Sequence, residues 1–337
     1  VSTMKSRWRG HQCTASGSHE SATRFKLGDV DFGEAPENNA HIGVSSDGSR
    51  FVARVSPIDL IRNPEAFAHE IASVRLAGEH SSLLPLTAVV ARRDAVYEIY
   101  PFCDLGSAFS VLDVYYKSGV PEKACKTIAA ALFAALKYLH STNIVHRAVR
   151  AEHLMLDSRG GARLSGMRWA RRLPAEGRLH GMDTVDAPGL LWTAPEVLAQ
   201  DLRGYNCKAD IYSAGITLCE LANGFPPFAD MEKLEMLYEK LRGTTPRLLD
   251  STTMPYADPA EHYLRTLSAD FHDITDQCLK QDPSIRPTSG EVLLHKFIAK
   301  TSKRKLGALL PLAKEITSRN DLHSKSEGHL AGAAAER

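Results

Sequence analysis

Between His146 and Arg178 the chain carries eight arginines (147, 150, 159, 163, 168, 171, 172 and 178) against three acids, Glu152, Asp157 and Glu176. The local excess of +5 is permanent guanidinium charge, which is chemistry for holding phosphates and other anions. For most of these arginines a solvated basic segment is the plainer reading. The six cysteines (13, 103, 125, 207, 219 and 278) form no CxxC pair, and three lie in apolar helical stretches. They read as reduced core thiols, not as a zinc site or a disulfide framework.

These side chains need elements to position them. Short β-like runs at 41–44, 51–55 and 95–100 alternate with turn signals such as Asp47-Gly48 and one helical stretch, Pro64–Leu76. This pattern predicts a small antiparallel sheet with one helix. From Pro121 onward helices dominate: Ile128, Leu132, Leu136 and Leu139 recur on one face behind a proline suited to a first turn. Residues 154–156 and 162–164 flank Ser158-Arg159-Gly160-Gly161 and read as a hairpin. An apolar helix over 210–222 stops at Asn223-Gly224, and two more helices are expected near 271–279 and 289–297. A further amphipathic segment is expected over 306–316, interrupted by Pro311. The fold class is α+β.

The 337 residues carry 41 Lys plus Arg and 40 Asp plus Glu, too even a balance for a protein that coats nucleic acid. That neutrality is an average. Residues 1–24 hold four basic side chains and one acid, residues 300–337 hold eight and four, and the body between them is net −6. No apolar run approaches the ~20 residues of a membrane span, and the first residues lack an apolar signal core. A membrane-spanning or secreted protein is not expected, and cytosolic or nuclear residence is.

The order of short strings along the second half then becomes informative. Ile144-Val145-His146-Arg147-Ala148-Val149-Arg150-Ala151-Glu152-His153-Leu154 resembles the protein-kinase catalytic loop H-R-D-L-K-x-x-N. Leu164-Ser165-Gly166-Met167-Arg168 stands where L-x-D-F-G would be, Ala194-Pro195-Glu196 is an intact A-P-E, and Asp210-Ile211-Tyr212-Ser213 resembles the start of the central helix. Pro226-Pro227-Phe228 and Arg286-Pro287 follow in order. The resemblance covers roughly residues 25–300 and implies a bilobal kinase-like fold. It divides the chain into a disordered basic tail (1–24), an N-lobe (25–103), a C-lobe (104–300) and a C-terminal tail with one helix (301–337).

Kept and lost residues separate by role. His146, Arg147, Glu196, Asp210 and Arg286 correspond to framework residues: a Glu196–Arg286 ion pair anchoring the activation segment, and Asp210 anchoring the catalytic loop. Phosphoryl transfer needs a carboxylate at the substrate hydroxyl and oxygen ligands for Mg²⁺. Those three positions hold Ala148, His153 and Gly166, so the resemblance implies a pseudokinase with no catalytic residues and no metal site.

On the nucleotide side, counting from Gly48 places Arg54 at the phosphate-binding lysine, although strand alternation could place Val55 there. Glu70 is the candidate partner on the N-lobe helix or a solvated carboxylate, and Tyr100 is the gatekeeper. The glycine-loop region, residues 28–37, holds four acids, one proline and two glycines, a composition that repels phosphates. Arg150 and Arg168 fall at the cleft floor together with His153. Guanidinium charge there would stand in for Mg²⁺ and allow ATP binding without metal.

The strings Val145-His146-Arg147-Ala148-Val149-Arg150-Ala151-Glu152-His153-Leu154, Leu164-Ser165-Gly166-Met167-Arg168 and Leu248-Leu249-Asp250 resemble the Sterile-20-related adaptor pseudokinases. That resemblance implies an adaptor that clamps and activates a tumour-suppressor Ser/Thr kinase upstream of AMP-activated kinase, with a helical-repeat scaffold protein as a further partner. The activation segment, 169–193, and residues 226–231 are the expected contact surfaces, with Trp169 read first as core packing. The family's scaffold-binding Trp-Glu-Phe motif does not occur, and the last tryptophan is Trp192. Two other readings compete. One is a residually active kinase using Glu152 or Asp157, and the other is a nucleotide-blind scaffold with its pocket closed by Tyr100 and the acidic loop.

Overall fold

β-branched and aromatic residues in alternation build the first unit. In a computed structural model of the chain, residues 40–45, 47–61, 64–181, 187–253, 265–299 and 305–315 are described. Strands β1 (Ala40–Val44), β2 (Arg50–Pro57), β3 (Ala88–Ala91) and β4 (Ala95–Pro101) form an antiparallel sheet in the order β1-β2-β4-β3. The β1–β2 turn closes where Asp47 Oδ1 accepts from the Ser49 amide at 2.9 Å. Phe51, Ala53, Tyr97 and Ile99 bury one face of this sheet as a small core of their own. Helix α1 (Pro64–Leu76) follows β2 and begins with a proline, whose missing N–H would have had no partner in a first turn.

The larger unit is helical. Helix α2 (Ala108–Tyr115) starts at Ser107, whose hydroxyl accepts from the Ser110 amide at 3.1 Å. Helix α3 (Glu122–Ser141) buries the Ile128, Leu132, Leu136 and Leu139 stripe completely, each side chain contributing roughly 1.5–3 kcal/mol. Short strands follow: β5 (Gly106–Ser107), β6 (Ile144–Val145), β7 (Leu154–Asp157), β8 (Gly161–Leu164) and β9 (Arg171–Arg172). β7 and β8 are the expected hairpin, and β6 pairs with β9. Helices α4 (Pro195–Leu198) and α5 (Lys208–Asn223) come next, and every residue of α5 beyond Lys208 is buried. It is buried on all sides because it runs through the core, its few polar side chains included, and it ends at Gly224. That glycine has φ +91°, and a Cβ there would lie 1.9 Å from the Lys117 carbonyl oxygen.

Helices α6 (Lys233–Arg242), α7 (Ala269–Cys278), α8 (Ser289–Leu294), α9 (Lys296–Ala299) and α10 (Leu306–Leu309) follow among the described residues. The helix expected over 289–297 is broken at His295, and the one expected over 306–316 is a single turn ahead of Pro311. The α+β class holds. Residues 1–39, which include the 1–24 tail and the 28–37 loop, lie outside the described residues, as does the far end of the chain. No helix among the described residues is long and apolar enough to cross a membrane.

Candidate functional site

The 146–153 loop is hung from the start of α5. Asp210, fully buried, accepts the His146 amide on Oδ2 and the Arg147 amide on Oδ1, each at 2.8 Å. His140 Nε2 lies 2.9 Å from Oδ2. Burial alone would raise the Asp210 carboxyl, but His140 and the neighbouring donors hold it below the ordinary aspartate value. These bonds fix Arg147 at φ +68°, a left-handed backbone that a non-glycine residue adopts at a cost of about 1–3 kcal/mol. The side chain of Arg147 donates to the Trp169 carbonyl at 3.3 Å, so the loop is tied to the segment beyond Gly166.

His146 is buried, and burial lowers its pKa, leaving a neutral ring. Its Nε2–H donates to the Ser165 carbonyl at 2.8 Å while Nδ1 accepts the Ala148 amide at 3.2 Å. The second imidazole, His153, is pushed down to about 3, first by burial and then by the Arg150 charge. Neutral His153 donates from Nδ1 to the Ala148 carbonyl at 2.6 Å.

Gly166 explains why that ring can sit there. Its φ is +83°, and a Cβ built on it would lie 2.5 Å from both Cγ and Nδ1 of His153. Any side chain at 166 therefore meets a left-handed backbone and an occupied space together. Ala148 contributes a methyl group and a carbonyl already bonded to His153. The three positions that the resemblance aligns with a base and two magnesium ligands thus supply no side-chain carboxylate or amide oxygen. Magnesium, the metal this fold family implies, does not fit them. Among the described residues no group of three or more His, Cys, Asp or Glu could hold a metal.

The arginines expected near phosphates are engaged within the chain. Arg54 Nε lies 2.9 Å from Oε2 of Glu98, a fully buried acid on β4. The β2–β4 register puts Arg54 opposite Glu98 and Val52 opposite Tyr100, so Arg54 shares a face with Tyr100. Val55 lies on the other face against the small sheet core. Tyr100 donates to Glu98 Oε1 at 3.1 Å. Glu98, which the sequence reading passed over, is thus the acid described beside Arg54. The Glu70 side chain lies outside the described residues.

Arg150 is buried, its Nη2 2.8 Å from Glu152 and its guanidinium 6.0 Å from the Trp192 ring centre. Together with Arg147, Ala148, Thr193 and Ser213 it lines a small depression that is partly open to solvent. Arg168 is exposed, on a 3₁₀ turn, 5.3 Å above the half-buried Trp169 ring.

The framework pair is in place. Arg286, fully buried, donates from Nη1 and Nη2 to the two oxygens of Glu196 at 2.7 and 2.8 Å. Its remaining donors reach the carbonyls of Lys280, Gln281 and Lys208. Sequence reasoning also missed buried charges, among them Glu220 on α5 and Lys240 on α6. Glu220 had a legible signal, a lone acid in the apolar run 211–222. Lys240 had one too, four residues after Met236 on the buried face of an amphipathic helix.

Comparison with known proteins places this geometry. Residues 47–298 match the protein kinase domain family, and the chain belongs to it. STE20-related kinase adapter protein alpha of Rattus norvegicus is 33% identical over 285 residues, covering 74% of this chain and 72% of that protein. The Homo sapiens alpha protein is also 33% identical and is covered over 66% of its length. STE20-related kinase adapter protein strd-1 of Caenorhabditis elegans is 34% identical over 265 residues, with 74% and 67% covered. Within the kinase family, the chain is a member of the STE20-related kinase adapters.

Proposed function

We propose that this chain is a catalytically inactive pseudokinase adaptor that binds a partner Ser/Thr kinase and activates it allosterically. One observation carries the reading. The His153 ring occupies the space beside Gly166 where a metal-binding carboxylate would have to stand, while Ala148 removes the base. Glu152 and Asp157, the displaced carboxylates of a residually active kinase, are committed elsewhere. Glu152 pairs with Arg150, and Asp157 caps the Arg159-Gly160 turn. With no chemistry of its own, the adaptor works by differential affinity, favouring the partner's active state by binding it more tightly.

The kept framework supports that role, because a surface presented to a partner must be rigid. Asp210 and the Glu196–Arg286 pair hold the catalytic loop and the segment after it through contacts within the chain. The family resemblance names the partner class, a tumour-suppressor Ser/Thr kinase upstream of AMP-activated kinase. It adds a helical-repeat scaffold as a further partner and cytoplasmic or nuclear residence. Affinity capture followed by a kinase assay of the bound partner tests this. Partner activity should rise with added chain, and recovery of a partner kinase whose activity does not change overturns the reading.

ATP binding without Mg²⁺, through Arg54, Arg150 and Arg168 with His153 and Tyr100 nearby, is the nucleotide part of the proposal. A thermal shift with ATP should survive EDTA, and its loss on chelation sinks that part. The Arg54–Glu98 and Arg150–Glu152 pairs favour a second reading, a nucleotide-blind scaffold, whose signature is no shift at all with partner binding intact.

A further inference from the structure

The depression beside Arg150, the exposed apolar stripe of α6 and the C-terminal segment 305–315 are each explained by the site above or lack anything to name an occupant. Two of the buried charges that play no part in the site, Glu220 and Lys240, are different, because both hold the same short piece of chain. Trp192 Nε1–H donates to Glu220 Oε2 at 2.8 Å, and the same oxygen accepts the Ala151 amide at 3.0 Å. Lys240 Nζ donates to the carbonyls of Leu190 and Leu191 at 3.2 and 2.6 Å. Lys240 is fully buried and Glu220 all but so.

We propose that Glu220 and Lys240 are a two-handled clasp on residues 190–192, the close of the activation segment, and that the grip passes between them as pH crosses neutrality. The handles are separate because neither charge pairs with the other. Around Glu220 the charged groups are Arg150 and Glu152 of the catalytic loop. Around Lys240 they are Glu196 and Arg286, both cations lying against the Tyr212 ring at 5.3 and 5.0 Å from its centroid.

Burial acts on the two handles in opposite senses. It pushes Glu220 up to about 7, against the pull of the Ala151 and Trp192 donors, and it pushes Lys240 down to about 7. Below neutrality Glu220 is a neutral acid and Lys240 an ammonium, so the 190 and 191 carbonyls are the firmer hold. Above neutrality the carboxylate holds the indole by a charge-assisted bond, and Lys240 is a neutral amine with a weaker hold. The segment keeps two anchors throughout, and the stronger one changes.

The indole N–H of Trp192 reads the clasp directly. In full-length protein with Trp8→Phe and Trp169→Phe, the single ¹⁵N-indole resonance should titrate with a midpoint near pH 7. It should be flat in Glu220→Gln. Hydrogen exchange supplies the other handle: in Lys240→Met, the 192–193 amides should lose about tenfold protection relative to wild type on the acid side, and less on the alkaline side. A Trp192 resonance that stays constant through the neutral range in folded wild-type protein overturns the proposal. So does a titration that persists in Glu220→Gln, or equal loss of protection on both sides in Lys240→Met. Should Glu220→Gln fail to fold, the wild-type titration and the Lys240→Met exchange still decide. None of these outcomes bears on the adaptor reading, which is tested by partner activity.

Discussion

Two ends of one loop follow opposite rules. At its start, the His146 and Arg147 amides are held by a buried carboxylate, and the wider framework ends in the bidentate Glu196–Arg286 pair. By contrast Ala148 and His153 within the loop, and Gly166 beyond it, offer a methyl, a neutral ring and no side chain. The first set is a network of charge-assisted bonds in a dry interior, where losing one partner strands the other. The second set is small or neutral and satisfied locally, so it carries little of the fold. The framework therefore rests on residues other than those at 148, 153 and 166.

The framework should break most visibly. Arg286→Met strands the Glu196 carboxylate and three carbonyls, and should lower unfolding free energy by about 3–5 kcal/mol in a urea titration. A loss under ~1 kcal/mol would erase the contrast between the two sets. The lost-chemistry end should respond in the middle range, and only through backbone and sterics. Gly166→Ala should be destabilising by about 1–3 kcal/mol, from its left-handed φ and the His153 collision. His153→Ala in the same chain should recover part of that loss, and a double-mutant cycle showing strict additivity would refute the packing described for that pair.

Proton linkage comes next. His153 titrates near 3 when folded against an ordinary value of 6.5, so the unfolded chain binds more protons between those limits. Stability should fall as pH drops from about 6.5 toward 3. Urea midpoints measured along that range should lose part of their slope in His153→Asn. Arg168→Ala should do least, leaving the unfolding free energy within about 0.5 kcal/mol because the side chain is exposed. A larger change would mean that Arg168 belongs with the framework.

Much of the scaffold was legible because local rules agreed with the fold. Pro64–Leu76 has the predicted bounds, the 158–161 turn joins the predicted hairpin, and Gly224 ends α5 where the pattern stops. The breaks came where contacts between distant segments overruled local pattern. α6 has an amphipathic sequence but was passed over, β3 is too short to show a period, and His295 interrupts a helix whose pattern ran straight through it. Among site residues the types were readable and the partnerships were not. Arg54 could be counted to a strand, but its pairing with Glu98 depends on β2–β4 register, and Glu98 sits in a strand with no motif to flag it.

The residue types alone determined that positions 148 and 166 carry no carboxylate, since no folding can give Ala148 or Gly166 an oxygen-bearing side chain. They determined the two-part layout as well, through the change from period-two to period-3.6 apolar patterning. Only the tertiary structure decided what filled the vacated space: a His153 ring seated against a left-handed glycine. It also decided which charges were buried, since Glu220 and Lys240 become anchors only when α5 and α6 pack beside residues 190–192. Burial and pairing are relations between segments far apart in the chain, and dielectric, not residue type, sets what those groups do.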